Sequence, residues 1–333
     1  MISLVQNEVM KLLLKKKMVL ILLLVLVFTS LFAYGEKYTY DKNIERFEES
    51  SDGAAFDWKS LSTQRLEDMK ERLDSPYIPE SGKQSIIIEI EQLTYFIEND
   101  INPITPSAAK FSVEFIEQGI VMLIPLLVII LAADLVSGEF TAGTIKLLLT
   151  RAVPRWKILL SKYLALIMMT TLVVFLIGVI ATGVSFAFFE RWGFDQPVAT
   201  GFNSVGGILN SDTVILVTSF EYMMLIYALA WFVSIVIATI TFMVSVIVKS
   251  TSTAIGILMA TLIGGQFLQF FLSDWEIVKY FYVTNLNLTR YLTGSYQPIE
   301  GMNLVFSIIV LSIWAIISLV VSFQVFGRKD VLV

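Results

Sequence analysis

Between two long apolar runs lies ADLVSGEFTAGTIKLLLTRAVPRWKILLSKYL, Ala133 to Leu164, which gathers an acid at Glu139, hydroxyls at Thr141 and Thr144, a glycine at Gly143, a proline at Pro154 and the cations Arg151, Arg155, Lys157 and Lys162. A carboxylate among guanidinium and ammonium groups makes charge-assisted hydrogen bonds, and such a bond can fix a turn against backbone amides or an arginine. Glu139 is expected to do this, with Arg151 or Arg155 on the returning limb as its partner. Covalent and metal chemistry find little support, because the sequence contains no cysteine and no histidine. Thiolate nucleophiles, imidazole bases, disulfides and the commonest zinc or haem ligands are thereby absent. No G-x-x-x-x-G-K-[ST] phosphate loop is present either, so ATP hydrolysis is not expected of this chain.

A second group of residues lies deeper in apolar sequence. Ser252, Gly256, Ala260 and Gly264 recur every four residues, a spacing that lets helices approach closely where lipid supplies no hydrophobic drive. The spacing leaves open whether that face packs within one chain or between two. Gln266 and Gln269 add amide groups that either line a pathway or bond across helices, and Asp134 and Glu221 stand close enough to span ends to be interfacial. Leu262 to Gln266 reads LIGGQ, but its apolar surroundings mark it as membrane helix rather than a nucleotide-contacting signature. Asn287-Leu288-Thr289 matches a glycosylation sequon, a three-residue pattern of little weight.

The elements that must position these groups follow from composition. Of 333 residues 56% are hydrophobic and the mean hydropathy is +0.75, which places the chain in a membrane. A net charge of -5 gives no sign of a nucleic-acid partner. About 20 apolar residues cross a ~30 Å hydrocarbon core, and six segments qualify. The expected fold is an all-α integral membrane protein with a small helical insertion between spans 1 and 2. The organisation is an interfacial helix at 1–17, span 1 at 18–34, an external helical domain at 35–117, span 2 at 118–136, a coupling element at 137–157 and span 3 at 158–189. An external loop at 190–220, span 4 at 221–248, a turn at 249–252, span 5 at 253–272, a re-entrant-like external segment at 273–302, span 6 at 303–326 and a tail at 327–333 complete it.

Lys and Arg set the orientation: twelve fall on the side of the termini and three in the short loops opposite, so both termini are expected to be cytoplasmic. A cleaved signal peptide ending near Ala33 and Gly35 competes with an uncleaved first span. In 1–17, Val5, Val9, Leu12 and Leu13 share a face with Glu8 and Lys11 opposite, as suits an interfacial helix, although a basic tail would satisfy the charge rule equally. Within the insertion, Ser62 is read as a helix cap with a Leu61–Leu66 staple, and Ser81-x-x-Gln84 as a capping box opening a second helix striped by Ile86, Ile90, Leu93 and Ile97. In the coupling element, Thr141 to Leu149 can form a short helix, and Pro154 suits the first turn of span 3.

The run from Ser137 to Lys162 resembles the permease subunits of ABC-2 type transporters, where an acid, a Gly-Thr pair, an apolar stretch, and a Pro or Ser followed by Arg and Lys precede the third span. TNLNLTRYLTG, Thr284 to Gly294, before span 6, is similar to bacterial members with a large first external loop. The resemblance implies that Glu139, Thr141, Gly143, Thr144, Arg151, Pro154 and Arg155 form a coupling element seated on a separate ATPase subunit. That partner would bind ATP and Mg, leaving this chain without a cofactor or enzymatic site of its own. Two permeases, identical or related, would enclose a cavity between spans 2 and 5, with Ser252, Gly256, Ala260, Gly264 and Gln266 serving packing or the pathway. The expected function is export of an amphipathic or hydrophobic compound, such as a peptide antibiotic, lipid or drug, across a bacterial cytoplasmic membrane. A sensor or scaffold relaying ligand binding at the external domain to a cytoplasmic partner is the alternative.

Overall fold

The computed structural model describes residues 1–50, 56–73, 80–145, 153–205, 208–210, 214–272, 275–293, 299 and 301–328. Helix α1 (Ile2–Leu14) stops where Lys15 turns extended, and α2 (Lys16–Ser50) then runs without interruption past Ala33 and Gly35. Thirty-five residues at 1.5 Å each make α2 roughly 50 Å long, more than a bilayer core requires. Its far half therefore carries the chain out to a helical hairpin, α3 (Trp58–Leu73) and α4 (Glu80–Glu98). The cap of α3 is Asp57, whose carboxylate accepts from the Ser60 amide at 3.1 Å and the Lys59 amide at 3.3 Å. Ser62, expected to cap this helix, is instead fully buried inside it. α4 is helical as its apolar stripe suggests, and Ile88 and Leu93 are its buried members. The side chains of Ser81 and Gln84 lie outside those described.

The chain then returns through α5 (Ala108–Gly119) and α6 (Leu123–Ala132), which meet at a bend of 68°. Pro125 accounts for the break: it has no amide hydrogen for the carbonyl four residues back, Val121, and its ring would collide with that carbonyl in a straight helix. Span 2 thus differs from the uniform helix expected at 118–136, and its first arm begins ten residues earlier, at Ala108, in what the sequence assigns to the external domain. After the short α7 (Ser137–Thr141), α8 (Arg155–Phe189) is again 35 residues long, starting one residue after Pro154, its N-cap.

The segment from 190 to 220, expected as an external loop in an all-α fold, holds two short antiparallel strand pairs. β1 (Pro197–Thr200) pairs with β4 (Ile215–Thr218), Pro197 opposite Thr218, and β2 (Asn203–Val205) pairs with β3 (Ile208–Asn210). Thr218 then opens α9 (Ser219–Ile247) with a capping box: its hydroxyl accepts from the Glu221 amide, and Glu221 Oε2 accepts from the Thr218 amide at 2.8 Å. Glu221 is therefore a helix cap. α10 (Thr251–Phe271), three 3-10 turns (Glu276–Tyr280, Val283–Asn285, Thr289–Thr293) and α11 (Leu304–Arg328) complete the described chain.

Five helices, α2, α8, α9, α10 and α11, are long and apolar enough to cross a membrane, and α5 with α6 makes a sixth if the bent pair is one span. This is a helical membrane protein. The buried apolar core runs through α5, α6, α8 and α9, whose inward side chains include Ile116, Leu127, Leu166 and Phe242. α10 is held less deeply, burying Ala254, Leu258, Leu262 and Gly265 along one edge.

Candidate functional site

Where α7 leaves α6, its first amides are claimed by a neighbour. Ser245 Oγ on α9 accepts from the amides of Val136 and Ser137 at 3.1 and 3.0 Å, while Ser137 Oγ donates to the Ala133 carbonyl and lies 3.2 Å from Thr251 Oγ1 at the start of α10. Thr141 donates to the carbonyls of Ser137 at 3.0 Å and Lys249 at 3.3 Å, so the turn is bonded to the α9–α10 connection. Gly143 has φ +70°, a left-handed conformation that favours glycine, and Thr144 Oγ1 folds back to the Glu139 carbonyl at 3.4 Å. These contacts fix Glu139 in place.

The Glu139 carboxylate meets Lys162, a partner not among those expected of it; Arg151, one of the expected partners, lies outside the described residues. Lys162, on the second turn of α8, brings its Nζ to 2.7 Å from Glu139 Oε1 and 2.8 Å from Glu8 Oε2. Its side chain is 2% exposed. Lys11 completes the group, 2.9 Å from Glu8 and 3.6 Å from Glu139, so two acids and two bases balance. A buried ammonium survives only when paired and hydrogen-bonded, and here two carboxylates supply both. Burial pushes the Glu8 carboxyl up, but the charges and hydrogen bonds of Lys162 and Lys11 outweigh it and hold Glu8 below its ordinary range. Burial likewise pushes Lys11 down, and Glu8 with Glu139 more than reverses this.

Three elements therefore converge on one charge cluster: the amphipathic α1, the α7 turn and the start of α8. Beside it Asp134, just past the end of α6, receives Lys15 at 2.9 Å and Lys17 at 3.0 Å, tying the α1–α2 joint to the bent span. A cavity of about 800 Å³ opens between these parts, lined among others by Asn7, Glu8, Asp134, Glu139 and Lys162. Of the remaining residues assigned to the coupling element, Arg155 donates to the Gly327 carbonyl at 3.3 Å, linking the start of α8 to the end of α11. Arg151 and residues 146–149 of the short helix expected over Thr141 to Leu149 lie outside the described residues; Thr141 itself ends α7 and is followed by a turn.

The sequence missed Lys162 as a partner and misplaced Glu8. On α1 the buried residues are Glu8 and Leu12, with Leu13 and Leu14 exposed, so Glu8 belongs to the inward face. Two signals were available. Glu8 and Leu12 are four apart on one helical face, and Lys162 lies beyond the polar limb, followed by the apolar run YLALIMM.

The small-residue face of α10 points away from the rest of the chain. Ser252, Gly256 and Ala260 are exposed, and a Cβ built on Gly256 or Gly264 would meet nothing within 4 Å. Gln266 stands at the edge of this face, its Nε2 buried without a hydrogen-bond partner among the described residues, and lines a cavity of about 440 Å³ with Val121, Asn287 and Arg290 beside the bend of the α5–α6 pair.

A family model described as a protein of unknown function, DUF2705, matches residues 86–332. The chain belongs to this family. Two Bacillus subtilis (strain 168) proteins are similar to this DUF2705 member. The uncharacterized protein YhcI is 29% identical over 278 residues, covering 82% of this chain and 84% of the relative. The uncharacterized membrane protein YdbK is 26% identical over 214 residues, covering 63% and 78%. The DUF2705 match contains Asp134, Glu139 and Lys162, whereas Glu8, Lys11, Lys15 and Lys17 precede it. The charge cluster thus joins the family-matching region to the helix that leads into it.

For this DUF2705 chain, Gly256→Leu is expected to leave the isolated chain folded, because among the described residues no atom lies within 4 Å of a Cβ added there. If the α10 face seats a second chain, the same substitution should reduce the dimer fraction about tenfold or more, since close helix approach is blocked. Mass photometry or cross-linking in nanodiscs checks this; an unchanged dimer with Gly256→Leu removes the face from any interface.

Proposed function

We propose that this protein is the permease subunit of an ABC-2 type exporter, driven by separate ATPase subunits. The observation that supports the reading is the cluster in which buried Lys162 bonds Glu139 of the turn and Glu8 of the amphipathic helix at 2.7 and 2.8 Å. A turn bonded to α8, α9 and the start of α10, and through Lys162 and Lys11 to α1, passes a partner's push into those helices together. In this reading the bent pair counts as span 2, giving six spans in a bacterial cytoplasmic membrane with both termini cytoplasmic. The α3–α4 hairpin and the two strand pairs then lie outside, and α7 with the start of α8 faces the ATPase. ATP and Mg belong to that partner. The unpacked α10 face with Ser252, Gly256, Ala260 and Gly264 suits a second permease copy or a related chain, and Gln266, which lines a cavity with Val121 at the bend, suits a pathway between spans 2 and 5. An amphipathic or hydrophobic cargo suits apolar spans of this composition.

Affinity purification of the chain from membranes of its own host, in mild detergent, is expected to recover a soluble protein carrying a G-x-x-x-x-G-K-[ST] loop, and the purified complex should hydrolyse ATP. Recovery of a kinase and no such ATPase would overturn the exporter and favour the sensor.

A further inference from the structure

At the end of the bundle opposite Lys162, the far half of α2 and the first arm of the bent span enclose a cavity of about 720 Å³. Its lining changes character along both helices. One end is apolar: Leu31 and Phe32 on α2 and Phe115 on α5 line it, with the Phe32 and Phe115 rings edge to face at 6.1 Å. One turn further along α2 stands Glu36, and on α5 Glu114, so two carboxylates follow directly on the aromatic wall. The cations that line the cavity are already engaged. Arg65 bonds Glu89 at 3.0 Å, and Lys110 donates to the Pro103 carbonyl and sits 3.8 Å from Glu114. Glu36 is only partly exposed and has no hydrogen bond or ion pair within 4.0 Å among the described residues; Lys110 attracts it from a distance while also neighbouring Glu114, so two carboxylates share one ammonium. A half-buried carboxylate beside a second carboxylate asks for a cation.

Two features identify which cation. Leu31 and Phe32 are 60% and 47% exposed on the surface of a membrane-crossing helix, so the apolar wall continues onto the lipid-facing side. No group of three His, Cys, Asp or Glu placed to hold a metal ion exists among the described residues. We propose that this cavity binds a single-chain amphiphile with a protonated amine, the ammonium between Glu36 and Glu114 and the chain along Phe32, Phe115 and Leu31. The geometry uses nothing from the ATPase partner, so the site stands or falls independently of the exporter reading.

The test uses the full chain in phosphatidylcholine nanodiscs and a dodecylamine bearing a photoreactive diazirine, with its neutral N-acetyl derivative as control. Irradiation is expected to place the amine on peptides of α2 and α5 about tenfold more than the amide, the margin of a partly shielded ion pair. Glu36→Gln should lower amine labelling to the amide's level, and Glu36→Asp should retain most of it. Equal labelling of the parent by amine and amide overturns the proposal, as does undiminished amine labelling of Glu36→Gln. Should Glu36→Gln misassemble, the comparison of amine with amide on the parent, and on Glu36→Asp, still decides.

Discussion

Lys162→Met is expected to lower the unfolding free energy of the chain by roughly 3 to 5 kcal/mol, because it strips the shared partner from two carboxylates. Glu8 is 9% exposed at its side chain and Glu139 16%, so neither regains full hydration when the ammonium goes. Lys11, 46% exposed, remains to neutralise one of them. The apolar replacement fills much of the volume, so the loss is electrostatic rather than a cavity effect. Adding Glu8→Gln and Glu139→Gln to Lys162→Met should restore stability to within about 1 kcal/mol of the parent, since the three most buried charges are then removed together and the remaining Lys11, 46% exposed, can be hydrated. Unfolding titrations with SDS from mixed micelles measure both. A single variant as stable as the parent, or a triple variant no better than the single, would mean that the three side chains are not coupled.

The second large effect is expected on α10, where two glycines nine residues apart sit in opposite environments. A Cβ on Gly265 would lie 2.6 Å from Val283 Cβ and 2.8 Å from Phe281 Cε1, distances at which the 3-10 segment must move. Gly265→Ala should therefore destabilise the chain by about 1 to 3 kcal/mol and loosen α10 from the Val283–Asn285 turn. Gly256→Ala meets open space and gains helix propensity, so it should be neutral or stabilising by up to about 1 kcal/mol. The same SDS titration compares them. Equal effects would show that the close approach of α10 to Val283 is not what holds this helix.

These contrasts mark what a single sequence can and cannot reveal. The helices read from hydropathy are present because about 20 apolar residues have few alternatives in a membrane, and α4 follows from its apolar stripe. Pro125 was visible in LIPLLVII, but its apolar neighbours conceal the break, since hydropathy carries no information on a missing amide hydrogen. The strands at 197–218 are three or four residues each, too short for alternation to register. At the candidate site Glu139 and the Gly143 turn were legible as local chemistry. Its partners were not, because Lys162 is 23 residues away and Glu8 is 131, and only the packing of α1 against α8 joins them. On α10 the four-residue spacing was legible, yet the glycine that packs within the chain is Gly265, one residue beyond Gly264.

The central claim is that Glu139 fixes a turn through which an ATPase partner and the spans act on each other. The direct measurement is ATP hydrolysis by the purified ATPase alone and in complex with the parent chain or Glu139→Gln, in nanodiscs at equal stoichiometry. A charge-assisted bond worth roughly 1.5 to 3 kcal/mol, when shielded, is enough to shift a conformational population about tenfold without unfolding the bundle. The parent is expected to change the hydrolysis rate of its partner, and Glu139→Gln to bind the same amount of partner while losing most of that change. A Glu139→Gln complex that hydrolyses ATP at the parent's rate would contradict the account and leave the Glu139–Lys162 pair as a structural bond alone.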